Sequence, residues 1–263
     1  MKALADQVAL VTGGGRGIGR GISLELAKAG ATVAINYHRD KTAAEEVAAE
    51  IEKGGGKALL VGGDVADFGA VEKMVADTVA KFGKLTIAVA NAAYSDREPF
   101  YEADLAGFRR TVDVCLWGSF NLLRTATNQM MAAGKGGSIV LVSSPQARIA
   151  APRSMAYNMS KAAINQMART AAIEVVEHRI RVNIMTPGWI DTPGERKFAS
   201  EEVIQAAGAK LPWKRLGRPD EIGRGVVFLC DPQNEYVTGS DLLIDGGVSL
   251  PWWASRGSAA PAG

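Results

Sequence analysis

The chain has 263 residues, 47% of them hydrophobic and 22% charged, which excludes the disordered, collagen-like and disulfide-knotted classes. Its 30 Lys and Arg stand against 28 Asp and Glu, and this balance of +2, with no basic run, excludes a dedicated reader of nucleic-acid phosphates. The longest apolar runs, Ile139–Val142 and Gly225–Cys230, are too short to span a bilayer, no signal-peptide pattern opens the chain, and Cys115 and Cys230 are its only cysteines, so a reducing, cytoplasmic compartment is expected.

Short β-branched runs alternate with helical stretches along the chain. Val8–Val11 predicts a strand. Ile18–Ala29 predicts a helix, because Ile18, Ile22, Leu26 and Ala29 fall on one face and Gly30 stops it. Thr32–Asn36 is a second strand, Thr42–Lys53 a helix ended by Gly54, Gly55 and Gly56, Ala58–Val61 a third strand and Val71–Phe82 a helix. Leu85–Val89 is the fourth strand, followed by a long helix within Leu105–Ala132. Ser138–Val142, the helix Tyr157–Val176 and the strand Arg181–Ile184 come next. After an irregular stretch, Pro219–Leu229 predicts a helix and Leu242–Ile244 a last short strand. This alternation predicts an α/β fold, a parallel sheet with helices on both faces. No linker divides the chain, so residues 1–251 read as one domain and 252–263 as a C-terminal tail. That tail was expected to lie loose or to dock on a neighbouring subunit, with Trp252 and Trp253 at a dimer axis.

Two groups of residues carry chemistry. Thr12-Gly13-Gly14-Gly15-Arg16-Gly17-Ile18-Gly19 lies between the first strand and first helix, where such a sheet offers unsatisfied helix N–H groups to a phosphate. Glycines there let backbone approach a pyrophosphate. Tyr157 and Lys161 stand four apart at the start of a predicted helix and share a face. A lysine ammonium beside a tyrosine favours the phenolate, so the expectation is a lowered Tyr157 pKa and a general acid for a ketone oxygen. Ser144 follows the fifth strand, at the carboxyl edge of the sheet, and its hydroxyl could bond the same oxygen.

With Asp64-Val65, Asn91-Ala92-Ala93, Pro187-Gly188 and Asp245-Gly246-Gly247 added, the chain resembles the classical short-chain dehydrogenase/reductase family over essentially all its length. The resemblance implies a single-domain, doubly wound parallel sheet of Rossmann type with seven strands, and hydride transfer between a nicotinamide and a carbonyl or secondary alcohol. It implies Tyr157 as acid/base, Lys161 lowering its pKa and binding the nicotinamide ribose, and Ser144 orienting the substrate oxygen. For the dinucleotide it implies Thr12, Gly13, Arg16, Gly17, Ile18 and Gly19 at the turn, with Asp64 and Val65 at the adenine. Asn91 would pack near the adenosine ribose and stabilise the central sheet, and Pro187, Gly188, Ile190 and Thr192 would lie along the nicotinamide. Two departures stand out: Ala93 replaces the glycine of the family's NAG motif, and Cys115 stands where the family usually has an Asn that holds a relay water. A thiol is a weak donor and acceptor and should hold that water poorly.

The end of the second strand carries no acid at Asn36 or Tyr37, while His38, Arg39 and Arg16 offer donors to a 2′-phosphate. NADP(H) is therefore favoured, with NAD(H) as the alternative. Substrate walls are expected at 94–100, 146–155 and the loop at about 189–215, and Arg148 and Arg153 read as surface charge flanking the pocket. The substrate is a small carbonyl or alcohol, and the family resemblance implies a homotetramer, a dimer of dimers. A nucleotide-sensing binding protein with weak or no catalysis is the second reading, favoured only by Cys115. An epimerase or dehydratase is the third, weakened by the absence of a longer C-terminal substrate domain.

Overall fold

The computed structural model describes residues 2–251. Seven strands form one parallel sheet in the order β3-β2-β1-β4-β5-β6-β7. They are β1 (Val8–Val11), β2 (Thr32–Tyr37), β3 (Ala58–Gly62), β4 (Ile87–Ala90), β5 (Gly137–Val142), β6 (Ile180–Pro187) and β7 (Asp241–Ile244). Between them run α1 (Gly17–Lys28), α2 (Lys41–Lys53), α3 (Phe68–Phe82), α4 (Leu105–Val112), α5 (Gly118–Ala133), α6 (Met155–Glu174), α7 (Glu201–Gly208) and α8 (Pro219–Cys230).

The strands read as unbroken apolar runs because both faces are covered, and the period-two alternation sorts their side chains into two cores. Leu10, Ala34, Ala88, Ile139 and Leu141 pack with residues of α3, α5 and α6, among them Met74, Leu122 and Ile164. Ala9, Val11, Val33, Ile35, Val89 and Val140 pack with Ile22 and Leu26 of α1, Val47 of α2 and Ile222 of α8. Asp40, Asp67, Asp104 and Ser200 cap α2, α3, α4 and α7 with side-chain oxygens, as their positions before apolar-periodic runs favour.

Two stretches differ from expectation. The long helix within Leu105–Ala132 carries a five-residue π turn, Asp113–Trp117, between α4 and α5. The irregular stretch after β6 contains α7. Elsewhere the elements are those predicted, with ends shifted by a few residues where caps and register set them. Trp252, Trp253 and the rest of the tail lie outside the described residues. Among the described residues no helix is long and apolar enough to cross a membrane, and no cluster of three or more His, Cys, Asp or Glu could hold a metal.

Parallel pairing brings the strand ends to one edge. Val11 pairs with Val89, Ala90 with Leu141, Val142 with Met185 and Pro187 with Ile244. The sheet order reverses between β1 and β4, which opens a crevice at that edge.

Candidate active site

The glycine turn follows β1 at this crevice. Its shape is held from beneath by Asn36, a buried amide near the end of β2. Asn36 Oδ1 accepts from Gly13 N–H at 3.1 Å, and its Nδ2 donates to the carbonyls of Val61 and Gly63, each at 3.1 Å. Asn36 is thus a clamp on the turn, and the residue presented at the strand end is Tyr37. Thr12 is buried as well. Its Oγ1 donates to Val89 O at 3.2 Å and accepts the N–H groups of Asn91 and Ala92 at 2.9 and 3.1 Å. Asn91 Nδ2 returns a bond to Thr12 O at 2.9 Å. Thr12 and Asn91, which the resemblance sets at the dinucleotide, thus staple β1 to β4, the sheet-stabilising part that the resemblance also implies for Asn91.

Above the clamp the turn leaves backbone donors outward. Arg16 stands before α1 in an extended conformation, and no side chain caps the helix among the described residues. Gly17 has φ of +52°, and a Cβ there would come within 3.4 Å of the Thr192 side chain. A Cβ on Gly19 would strike the Gly13 carbonyl. β6 ends at Pro187, and the segment that follows, with Gly188, Ile190 and Thr192, therefore reaches across to the helix N-terminus. An uncapped N-terminus, bare glycine backbone and a facing threonine suit the diphosphate of a dinucleotide.

At the far end of this groove His38 and Arg39 are exposed, as is Arg16, and neither arginine pairs with a carboxylate among the described residues. Asp64, which the family resemblance sets at the adenine, is gripped by Arg110 of α4. Arg110 donates to the two carboxylate oxygens at 2.8 and 3.1 Å, Ala66 N–H donates at 3.0 Å, and His38 Nε2 lies 3.9 Å away. Burial works against the Asp64 charge, but Arg110, the Ala66 N–H and His38 together keep its pKa below the ordinary value. Val65 is buried, and its carbonyl accepts from Asn121 Nδ2 of α5 at 2.9 Å.

Ser144, Tyr157 and Lys161 come together beside the crevice. Ser144 accepts the Gln146 N–H at 3.2 Å, and its hydroxyl is among the groups that favour ionisation of Tyr157. Lys161, one helical turn beyond Tyr157, has its Nζ 5.3 Å from the tyrosine ring centroid. The expected lowering of the Tyr157 pKa is not what this arrangement produces. Burial pushes the phenol well above its usual value, with Cys115 and Glu195 adding to it and Ser144 and Arg97 opposing. Lys161 is itself buried, donates to Val142 O at 2.6 Å, and is lowered by burial. Two neighbouring groups desolvated together each favour their neutral form.

Cys115 sits in the π turn, fully buried, and its Sγ donates to Tyr94 O at 3.2 Å. The π turn, the Arg110–Asp64 bond and the Asn36 clamp were not legible in the sequence. Arg110 lies 46 positions from its partner, on a helix where an arginine looks merely solvated. Arg148 pairs with Asp241 at 2.7 Å, in keeping with its reading as surface charge, while Arg153 lines a small cleft with Asp96, Glu98 and Phe108.

Residues 13–249 match the family model described as Enoyl-(Acyl carrier protein) reductase. The chain is 37% identical to the L-rhamnose 1-dehydrogenase (NAD(P)(+)) of Sphingomonas sp. (strain SKA58), an alignment covering 94% of this chain and 98% of that protein. It is 33% identical to the 3-oxoacyl-[acyl-carrier-protein] reductase of Synechocystis sp. (strain ATCC 27184 / PCC 6803 / Kazusa), over 95% of this chain and 100% of that one. A short-chain type dehydrogenase/reductase from Mycobacterium marinum superposes with a TM-score of 0.89 at 34% identity, covering 94% of this chain and 97% of that one. The chain belongs to the classical short-chain dehydrogenase/reductase family. It is an oxidoreductase acting on alcohol and carbonyl groups, as its relatives are named.

Proposed function

We propose that this chain is an NADP(H)-dependent oxidoreductase that interconverts a carbonyl and a secondary alcohol, with Tyr157 as general acid/base. The observation that carries the reading is Tyr157 one helical turn from Lys161, whose Nζ lies 5.3 Å from the tyrosine ring centroid, with Ser144 just after β5 at the same sheet edge as the glycine turn. When bound, the nicotinamide supplies or accepts the hydride.

The protein's own residues do the rest. Ser144 orients the carbonyl oxygen. Tyr157 gives its proton to that oxygen in reduction and takes it back in oxidation. Lys161 lies close enough to restrain the phenolate charge. Gly13, Gly17, Ile18 and Gly19 supply the backbone cradle for the diphosphate, with Thr192 opposite. Pro187, Gly188 and Ile190 wall the nicotinamide side, and Tyr37, Asp64 and Val65 the adenine side. Arg16, His38 and Arg39 offer donors to a 2′-phosphate, where an NAD-preferring site would set a carboxylate against the ribose hydroxyl. The printed names of relatives span L-rhamnose and a 3-oxoacyl-[acyl-carrier-protein], so they fix the reaction class and not the substrate. The placing of Lys161 against the Tyr157 ring, with Ser144 at the same sheet edge, favours this reading over a binding protein without catalysis. Our reading includes a cytoplasmic homotetramer: Trp117, Met131, Met159 and Ile173 are exposed on the helices that would pair, and sedimentation velocity tests it.

The experiment is consumption of NADPH and NADH over a panel of carbonyls, and of NADP⁺ and NAD⁺ over alcohols. NADP(H) should give the larger kcat/KM. Equal use of the two cofactors overturns the NADP(H) reading, and failure with every substrate argues for the binding protein.

A further inference from the structure

The substrate side of the crevice carries a polar group that neither the fold nor proton transfer requires. Arg97 stands on the loop after β4. Trp189, Glu195 and Phe198 stand on the loop after β6, and Arg97 and Glu195 lie 98 positions apart in sequence. Arg97 Nη2 donates to both Glu195 oxygens at 3.2 and 3.4 Å, and Trp189 Nε1 donates to Glu195 Oε2 at 3.0 Å. The Arg97 guanidinium carbon lies 3.9 Å from the Phe198 ring centroid. Both charges are felt at Tyr157, Glu195 opposing its ionisation and Arg97 favouring it.

This ion pair has unused capacity. Arg215 grips Glu221 with two nitrogens at 2.9 and 2.7 Å, the geometry of a full fork. Arg97 uses one nitrogen at longer range, and its Nε and Nη1 have no partner among the described residues. The Arg97 side chain is 40% exposed and that of Glu195 21%, so both remain open to a ligand. On the turn after Ser144, the Gln146 side-chain carbonyl is buried without a hydrogen-bond partner. A buried acceptor of this kind calls for a donor.

We propose that Arg97 and Glu195, framed by Trp189 and Phe198, determine specificity and select a substrate bearing adjacent hydroxyls, a cyclic polyol such as an aldopyranose. The inference rests on the oxidoreductase reading and narrows its substrate class. Neighbouring hydroxyls are donors and acceptors at once. One donates to the Glu195 carboxylate while the next accepts from the free Arg97 N–H groups. The aromatic rings pack against the C–H face of the sugar ring. An apolar alcohol would cover the same charges and return no hydrogen bond, at a desolvation cost. An anionic substrate would meet the Glu195 charge as closely as the Arg97 charge.

The test compares a panel of aldopyranoses with cyclohexanol, using the wild type, Arg97→Met and Glu195→Gln. The best aldose should exceed cyclohexanol at least tenfold in kcat/KM. Each substitution should cut that preference about tenfold or more, chiefly through the aldose KM, as expected for lost charged hydrogen bonds. Preference for cyclohexanol over every aldose overturns the proposal. So do variants that lower kcat equally for both substrates, which would make the pair a structural latch. If the wild type oxidises neither, aldose quenching of tryptophan fluorescence decides: quenching lost in Glu195→Gln and in Trp189→Phe supports the proposal, and no quenching overturns it. The underlying reading fails separately, through a Tyr157→Phe enzyme that remains active on whichever substrate is preferred.

Discussion

The two walls of the crevice are held by different forces. On the dinucleotide side Asn36, Thr12 and Asn91 tie the glycine turn with hydrogen bonds centred on the buried Asn36 and Thr12 side chains. On the substrate side, Arg97–Glu195, Arg196–Asp191 and Arg196–Glu201 join the loops through pairs with side chains 21–49% exposed. Exposed pairs contribute about 0–1 kcal/mol each, whereas stranding a buried polar group costs about 1–3 kcal/mol. The difference teaches a division of labour: a rigid cradle for a constant ligand, and a soft, recombinable wall for a variable one.

Asn36→Leu should break the comparison hardest. It strands the Gly13 N–H and two carbonyls beneath the turn. The expected loss is about 3 kcal/mol or more, from about 1–3 kcal/mol for each stranded group. Thermal unfolding and NADPH titration should both register it; an unchanged Tm would mean the clamp is dispensable. Next comes Gly19→Ala, whose methyl would meet the Gly13 carbonyl backbone. Overpacking of this kind costs about 1–3 kcal/mol, and weakened NADPH binding should accompany the lower Tm. By contrast Arg196→Ala, on the soft wall, should leave the midpoint of chemical denaturation nearly unchanged.

The contrast also explains what could be read in advance. The sheet and helices were legible because burial on two faces imposes long apolar runs, and the glycine turn because its backbone demands small residues. Ser144, Tyr157 and Lys161 were legible through helix spacing and strand-end position. Their electrostatics were not. Lys161 looked like a cation poised to lower Tyr157, but only the packed structure shows it buried against Val142 O. Nor could composition reveal Asn36, which looks like a strand-end polar residue, or the π turn at Cys115, which depends on how α4 and α5 pack. Arg97 and Glu195 gave no signal, because long-range ion pairs between loops follow no spacing.

Smaller effects sharpen the picture. Because burial raises the Tyr157 pKa, the phenol stays protonated through neutral pH. Carbonyl reduction should hold its rate there and fall only as pH rises toward that raised value, while alcohol oxidation, which needs the phenolate, should climb over the same range. Opposite slopes in the two pH–rate profiles check this, and a reduction rate already falling at neutral pH would count against it. Arg16→Ala with Arg39→Asp should shift the NADP/NAD preference by about tenfold or more, the scale of one lost charged hydrogen bond. Steady-state kinetics with both cofactors reads that shift. Cys115→Asn, the smallest change, should preserve or raise kcat; a large loss would show that the thiol is needed where it meets Tyr94 O.

Single-turnover oxidation of bound NADPH by a good carbonyl substrate, in the wild type and in Tyr157→Phe, tests proton transfer most directly. The account predicts unchanged NADPH affinity by fluorescence and a rate lower by about 10²–10⁴, the usual contribution of a positioned acid. A variant that binds NADPH and turns over within a few-fold of the wild type would contradict it.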